Sequence, residues 1–187
     1  EDGAYVADIK YTGFEGVEFN PYAYSAPDVA NFYGLKTTFT ADMFGVVAHY
    51  AASNEDVAGQ DDGSIGHLEL NTTVAGVSAA VGYIKTDKDA GVASMSAYGD
   101  NISPFEDGNY VYKIDAKTIY GSLGYTIADI ELGALYGQTK FERDYKEKEL
   151  NLTVAYSFTD SLEASVLYAD IKADKDYGDL DYNKILA

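Results

Sequence analysis

The chain has no cysteine and no tryptophan, only three prolines, and a single arginine, Arg143. Without cysteine there is no disulfide framework, no zinc-thiolate site and no catalytic thiol, and redox logic assigns no compartment. Positive charge is scarce too. Thirteen Lys and Arg stand against 31 Asp and Glu, a formal charge of −18, so nucleic acid is not an expected partner. Long apolar runs are missing as well: the longest nearly uncharged stretch, Val74 to Ile84, is far short of the roughly 20 residues a membrane helix needs. If this chain spans a membrane, it does so with strands. Only two histidines occur, His49 and His67, and no GxSxG motif accompanies them, so nothing sets a nucleophile beside a base and no enzyme is expected.

Tyrosine and glycine are each present 18 times, and Thr and Val are frequent, a composition that suits strands. The clearest stretch is Glu147 to Asp170. Leu150, Leu152, Val154, Tyr156 and Phe158 alternate with Glu149, Asn151, Thr153, Ala155 and Ser157, a two-residue period. After Thr159-Asp160-Ser161 the alternation resumes through Leu162, Ala164, Val166 and Tyr168, so the unit reads as a β-hairpin with one apolar face. Each strand runs about ten residues, the length a tilted strand needs to cross a bilayer.

The same pattern recurs along the chain. Tyr5 to Thr12 is a first strand, and Val17 to Ser25 a second that Pro21 weakens by removing a ladder donor. Strands are then expected over Tyr33 to Thr40, Phe44 to Tyr50, Leu68 to Val74, Val77 to Tyr83, Ile119 to Tyr125 and Ile130 to Tyr136, with an unfinished one from Tyr182. Short turns near residues 41, 76, 128 and 160 alternate with long polar loops near 58, 100, 144 and 177, the longest being Lys88 to Tyr112. That sorting of loop lengths by end is a property of membrane barrels. The expectation is an all-β fold: one antiparallel transmembrane β-barrel domain over residues 1–187, in contact with the lipid bilayer.

The face opposite the apolar one would line a lumen. It carries Lys36, His49, His67, Glu69, Asn71, Tyr120, Glu131, Glu149, Asn151 and Glu163, more acid than base, and such a wall draws cations. Taken singly, each of these is more simply a solvated inner-wall residue. The acidic loops offer oxygen ligands to calcium, with Asp174, Asp176, Asp179 and Asp181 close enough in sequence to converge. Neither they nor Asp56, Asp61 and Asp62 fit the twelve-residue calcium loop, and a solvated loop is the preferred reading; no other cofactor is expected.

The hairpin phrase LTVAYSFTDSLEASVLYADI at Leu152 to Ile171 and the tail DLDYNKILA at Asp179 to Ala187 resemble the major outer-membrane porins of Campylobacter-type bacteria. The resemblance implies a Gram-negative outer-membrane porin, a homotrimer of barrels passing small hydrophilic solutes by passive diffusion and favouring cations. It also implies that the sequence corresponds to the C-terminal portion of such a protein, incomplete at its C-terminus and at its N-terminus, with any leader removed or upstream. The alternative from a different class is a surface-exposed structural or adhesive β-protein whose acidic loops bind a partner or calcium. Continuous outward apolar faces would favour the barrel, a dry core between two sheets the alternative.

Overall fold

The computed structural model describes residues 3–92, 102–159, 161–174 and 181–187. These residues form a single antiparallel sheet of 12 strands in near-sequential order. The strands are β1 Tyr5–Asp8, β2 Tyr11–Phe14, β3 Val17–Ala26, β4 Ala30–Thr40, β5 Phe44–Glu55, β6 Gly63–Val74, β7 Val77–Thr86, β8 Lys117–Ile127, β9 Ile130–Phe141, β10 Tyr145–Thr159, β11 Leu162–Ala173 and β12 Tyr182–Leu186. Among the described residues no helix is long and apolar enough to cross a membrane; this says nothing of the strands.

The expected strands are all present, and most run longer than their alternation suggests. Three differences have local causes. The first expected strand is split into β1 and β2, both paired to β3, with Asp8 opposite Tyr22 and Tyr11 opposite Phe19. The break lies opposite Pro21, which has no N–H to donate, although its carbonyl still accepts the Ile9 amide at 3.1 Å. Pro21 therefore interrupts its neighbour and leaves β3 intact. Second, the long loop expected near residue 144 is a tight turn at 142–144, where Glu142 and Asp144 both take positive φ and the polar run 145–149 belongs to β10. Third, the described part of the connection between β7 and β8 does not stand off as a polar loop but folds against the sheet.

The hairpin turns follow ordinary chemistry. Val74 pairs with Val77, so Ala75 and Gly76 alone make the turn, with φ of 52° and 79°. Positive φ at both central residues is the type I′ requirement, and it matches the twist of the flanking strands. Gly76 adopts it freely; Ala75 does so against its Cβ.

Alternation gives the sheet two unlike faces. On one, Leu68, Leu70, Val81, Leu123, Tyr136 and Val154 are exposed, Leu123 at 62%. On the other lie Phe32, Ile65, Ile84 and Tyr120, which are buried against Val92, Ile102, Phe105, Val111 and Tyr112 of the β7–β8 connection. Residues of β3 to β8 thus meet one short segment, and β10 and β12 reach it as well, with Glu149 bonded to Gly108 and Lys184 to Asp107. A flat sheet of strands spaced at about 4.8 Å could not do this. The sheet must curl around the segment, its apolar face outward. Burying each large side chain of the segment stabilises this inward position by roughly 1.5–3 kcal/mol.

Candidate functional site

Register fixes the site. Lys36 pairs with His49, His49 with His67, His67 with Ile84, Ile84 with Thr118, Thr118 with Thr139, and Thr139 with Glu147. One row along the strands, Glu69 leads through Gly82, Tyr120 and Gly137 to Glu149. Asn71 leads through Ala80, Ser122 and Leu135 to Asn151. Directly opposed residues of an antiparallel pair share a face. Glu131 and Glu163 join the same face through Ala155 and Ser157. All ten residues read from the sequence as lining a lumen therefore stand on the concave wall.

They do not stand in the same surroundings. His49, Tyr120, Glu149 and Asn151 are buried, whereas Glu131 and Glu163 are exposed and Lys36, His67, Glu69 and Asn71 are half-buried. The buried four are fastened rather than solvated. The Tyr120 hydroxyl donates to Glu69 Oε2 at 2.6 Å, which leaves its oxygen to accept from His67 Nε2 at 2.8 Å. Tyr22 and His49 form a second hydroxyl–imidazole bond at 2.8 Å.

Glu149 and Asn151 hold the segment itself. The Gly108 amide donates to Glu149 Oε2 at 2.9 Å, the Asp107 amide to Glu149 Oε1 at 3.1 Å, and the Glu106 amide to Asn151 Oδ1 at 3.2 Å. Three consecutive amides thus meet two side chains of one strand, with Gly108 at a φ of 54°. Asn109 donates to Glu147 Oε2 at 3.0 Å. Two strands along from β10, Lys184 of β12 binds Asp107 at 2.6 Å and Glu106 at 3.3 Å, and the Tyr182 hydroxyl donates to Asp107 at 3.0 Å. Backbone amides left inside a barrel need acceptors, and these carboxylates and amides supply them.

The segment's other end is equally fixed. The Tyr112 hydroxyl accepts the amides of Ile102 and Ser103 at 2.8 and 3.0 Å. Tyr110 stacks on Phe141 with ring centroids 4.3 Å apart, and burial, with Glu147 and Glu142 adding to it, pushes its phenol above the usual tyrosine range. Phe105 lies over Gly137, where a Cβ would meet its ring at 2.5 Å.

Glu106, Asp107, Gly108, Asn109, Tyr182 and Lys184 were not legible as site residues. One signal was available: Ile102, Phe105, Tyr110, Val111 and Tyr112 are too apolar for a solvated loop. The calcium expectation finds no support in the described residues, among which no group of three or more ligand side chains converges. Asp174 instead accepts the Lys146 amide at 3.0 Å, and Asp181 the Ala173 amide at 3.0 Å. Asp176 and Asp179 lie outside the described residues.

No family model and no curated protein sequence matches the chain. Solved structures do. Pseudomonas aeruginosa OpdQ is 15% identical with a TM-score of 0.81, over 97% of this chain and 53% of that one. The outer membrane protein OprD of the same species is 15% identical with a TM-score of 0.80, over 97% and 57%. Acinetobacter baumannii OccAB3 is 12% identical with a TM-score of 0.77, over 100% and 56%. The fold is that of part of an outer-membrane porin barrel, and the chain spans about half the length of the structures it matches.

Proposed function

We propose that the chain forms part of a water-filled channel in the outer membrane of a Gram-negative bacterium, through which small hydrophilic solutes diffuse passively. The observation that carries this reading is the inward segment: residues 102–112 fold into the concavity of a sheet whose other face is apolar and exposed, and are pinned there from β8 to β12. A lumen narrowed by a fastened segment admits solutes by size and charge. A protein built to bind partners through its loops would have no use for such a fastening. The outward face meets lipid, and outer-membrane lipids are its surroundings.

Cation preference follows from the wall. Lys184, at 3.3 Å from Glu106 and 2.6 Å from Asp107, offsets one of these two negative charges and leaves the other. Glu69, Glu131 and Glu163 then outnumber Lys36 among the accessible sites identified from the sequence. Assembly as a homotrimer and kinship with the Campylobacter-type major porins rest on the sequence resemblance alone. The test is single-channel recording in planar bilayers of the full-length protein extracted from the outer membrane, with a salt gradient. Stepwise conductance with a reversal potential on the cation side supports the reading, and steps grouped in threes support the trimer. Folded, inserted protein that never conducts overturns it.

A further inference from the structure

The outward face carries one continuous row of positive charge. Lys85 of β7 stands directly opposite Lys117 of β8, Lys117 opposite Lys140 of β9, and Lys140 opposite Lys146 of β10. Two residues further along β10, Lys148 stands opposite Lys172 of β11. Six of the chain's thirteen basic residues thus form one exposed ladder across five consecutive strands of a protein with a net charge of −18. Like charges directly opposed on neighbouring strands repel. Folding alone therefore gives no reason for the row.

The ladder is only partly answered from within. Lys117 pairs with Asp115 at 2.9 Å and Lys172 with Asp170 at 3.2 Å. Asp174 accepts the backbone amide of Lys146, and Asp144 lies in the adjoining turn. Among the described residues Lys85, Lys140 and Lys148 enter no ion pair. The ladder lies at the ends of β7, β9 and β11 and the beginnings of β8 and β10, the end that carries the longer connections. Just below it run Tyr83, Ile119 and Tyr136, at the margin of the apolar band. Lysine stems can lie along such a wall while their amines reach the headgroup level.

We propose that this ladder binds the phosphate groups of lipid headgroups in the surrounding leaflet. The proposal rests on the reading of the outward face as lipid-facing. Strands about 4.8 Å apart bring neighbouring amines within reach of a single phosphate, and lysine serves phosphate as a mobile point charge. An acidic protein partner would also be attracted, but it would have to dock on a wall whose lower part is apolar and in lipid. The continuity of the ladder with that band selects a ligand that belongs to both layers: a lipid with an anionic phosphate head.

The test uses the full-length protein in nanodiscs of phosphatidylcholine doped with a phosphate-bearing lipid, either phosphatidylglycerol or a bisphosphorylated glycolipid, with retained lipid counted by native mass spectrometry. The wild type is expected to retain the anionic lipid over phosphatidylcholine, and moderate salt to weaken the retention. Replacing Lys85, Lys140 and Lys148 with Gln should lower the preference by about fivefold per lysine, from the typical worth of a lysine near an anionic surface. Arg at the same positions should restore it, and Lys10→Gln should change nothing. No preference in the wild type, or one unchanged by the triple Gln variant, overturns the proposal. Should the triple variant not fold, loss of lipid retention in the single Lys140→Gln variant supports the proposal and unchanged retention overturns it. Conductance of the same preparations separates the two readings: channels without lipid preference sink only the ladder, and lipid preference without channels sinks only the pore.

Discussion

Glu149 of β10 accepts the amide of Gly108 at 2.9 Å although 41 positions separate them in the chain, and its second oxygen takes the amide of Asp107 at 3.1 Å. One buried carboxylate thus holds the tip of the inward segment against the wall. Hydrogen bonds to a charged acceptor contribute roughly 1.5–3 kcal/mol each.

Glu149→Ala should release the tip. Single-channel recording is expected to show larger and noisier conductance, and limited proteolysis to cut within residues 102–112. Glu149→Gln keeps one acceptor oxygen and should fall between the two. An unchanged conductance for Glu149→Ala would mean that the segment does not gate the width.

Lys184→Met removes the cation that offsets Glu106 and Asp107. The reversal potential in a salt gradient should then move further toward cation preference, because two carboxylates of the inward segment lose their shared counter-charge. A shift toward anions would contradict the assignment of these groups to the permeation path.

Gly137→Ala places a Cβ 2.5 Å from the Phe105 ring and 2.7 Å from the Ile119 carbonyl. Overpacking of this kind costs about 1–3 kcal/mol. The midpoint of urea unfolding from lipid vesicles should drop accordingly, whereas Gly66→Ala, which meets nothing within 4 Å, should leave it in place.

Leu123→Arg and Ser122→Arg test the faces one residue apart. On the outward side, in the middle of β8, arginine should cost about 2–4 kcal/mol of folding free energy in a bilayer. On the inner wall it should cost far less and instead change conductance. Equal costs at the two positions would argue against a lipid-facing surface.

Much of the fold is visible in the strands one at a time. Period-two alternation in Leu150 to Phe158 or Leu68 to Val74 assigns both the strand and its faces, because side chains in extended backbone must alternate. All ten wall residues were placed on the concave side by that rule alone. What alternation could not reveal was that β9 continues to Phe141 and β10 starts at Tyr145, since a charged run such as Lys146 to Glu149 reads as loop when the only cue is hydropathy. Nor could it reveal that His49, Tyr120, Glu149 and Asn151 are buried: a polar residue on a wall looks the same whether water or another segment lies against it.

Most strands, the apolar outer face and the short hairpin turns are local properties, written in neighbouring residues because backbone geometry acts over two to four positions. The fate of the β7–β8 connection is not local. Its amides find acceptors more than 40 positions away, on Glu149 and Asn151, and its aspartate finds Lys184 77 positions away. Those partners meet only when the sheet curls, so whether the segment stands off the sheet or lies against its concave face is settled by long-range hydrogen bonding and burial. The lysine ladder belongs to the same class: six residues scattered from 85 to 172 become one surface only through strand register.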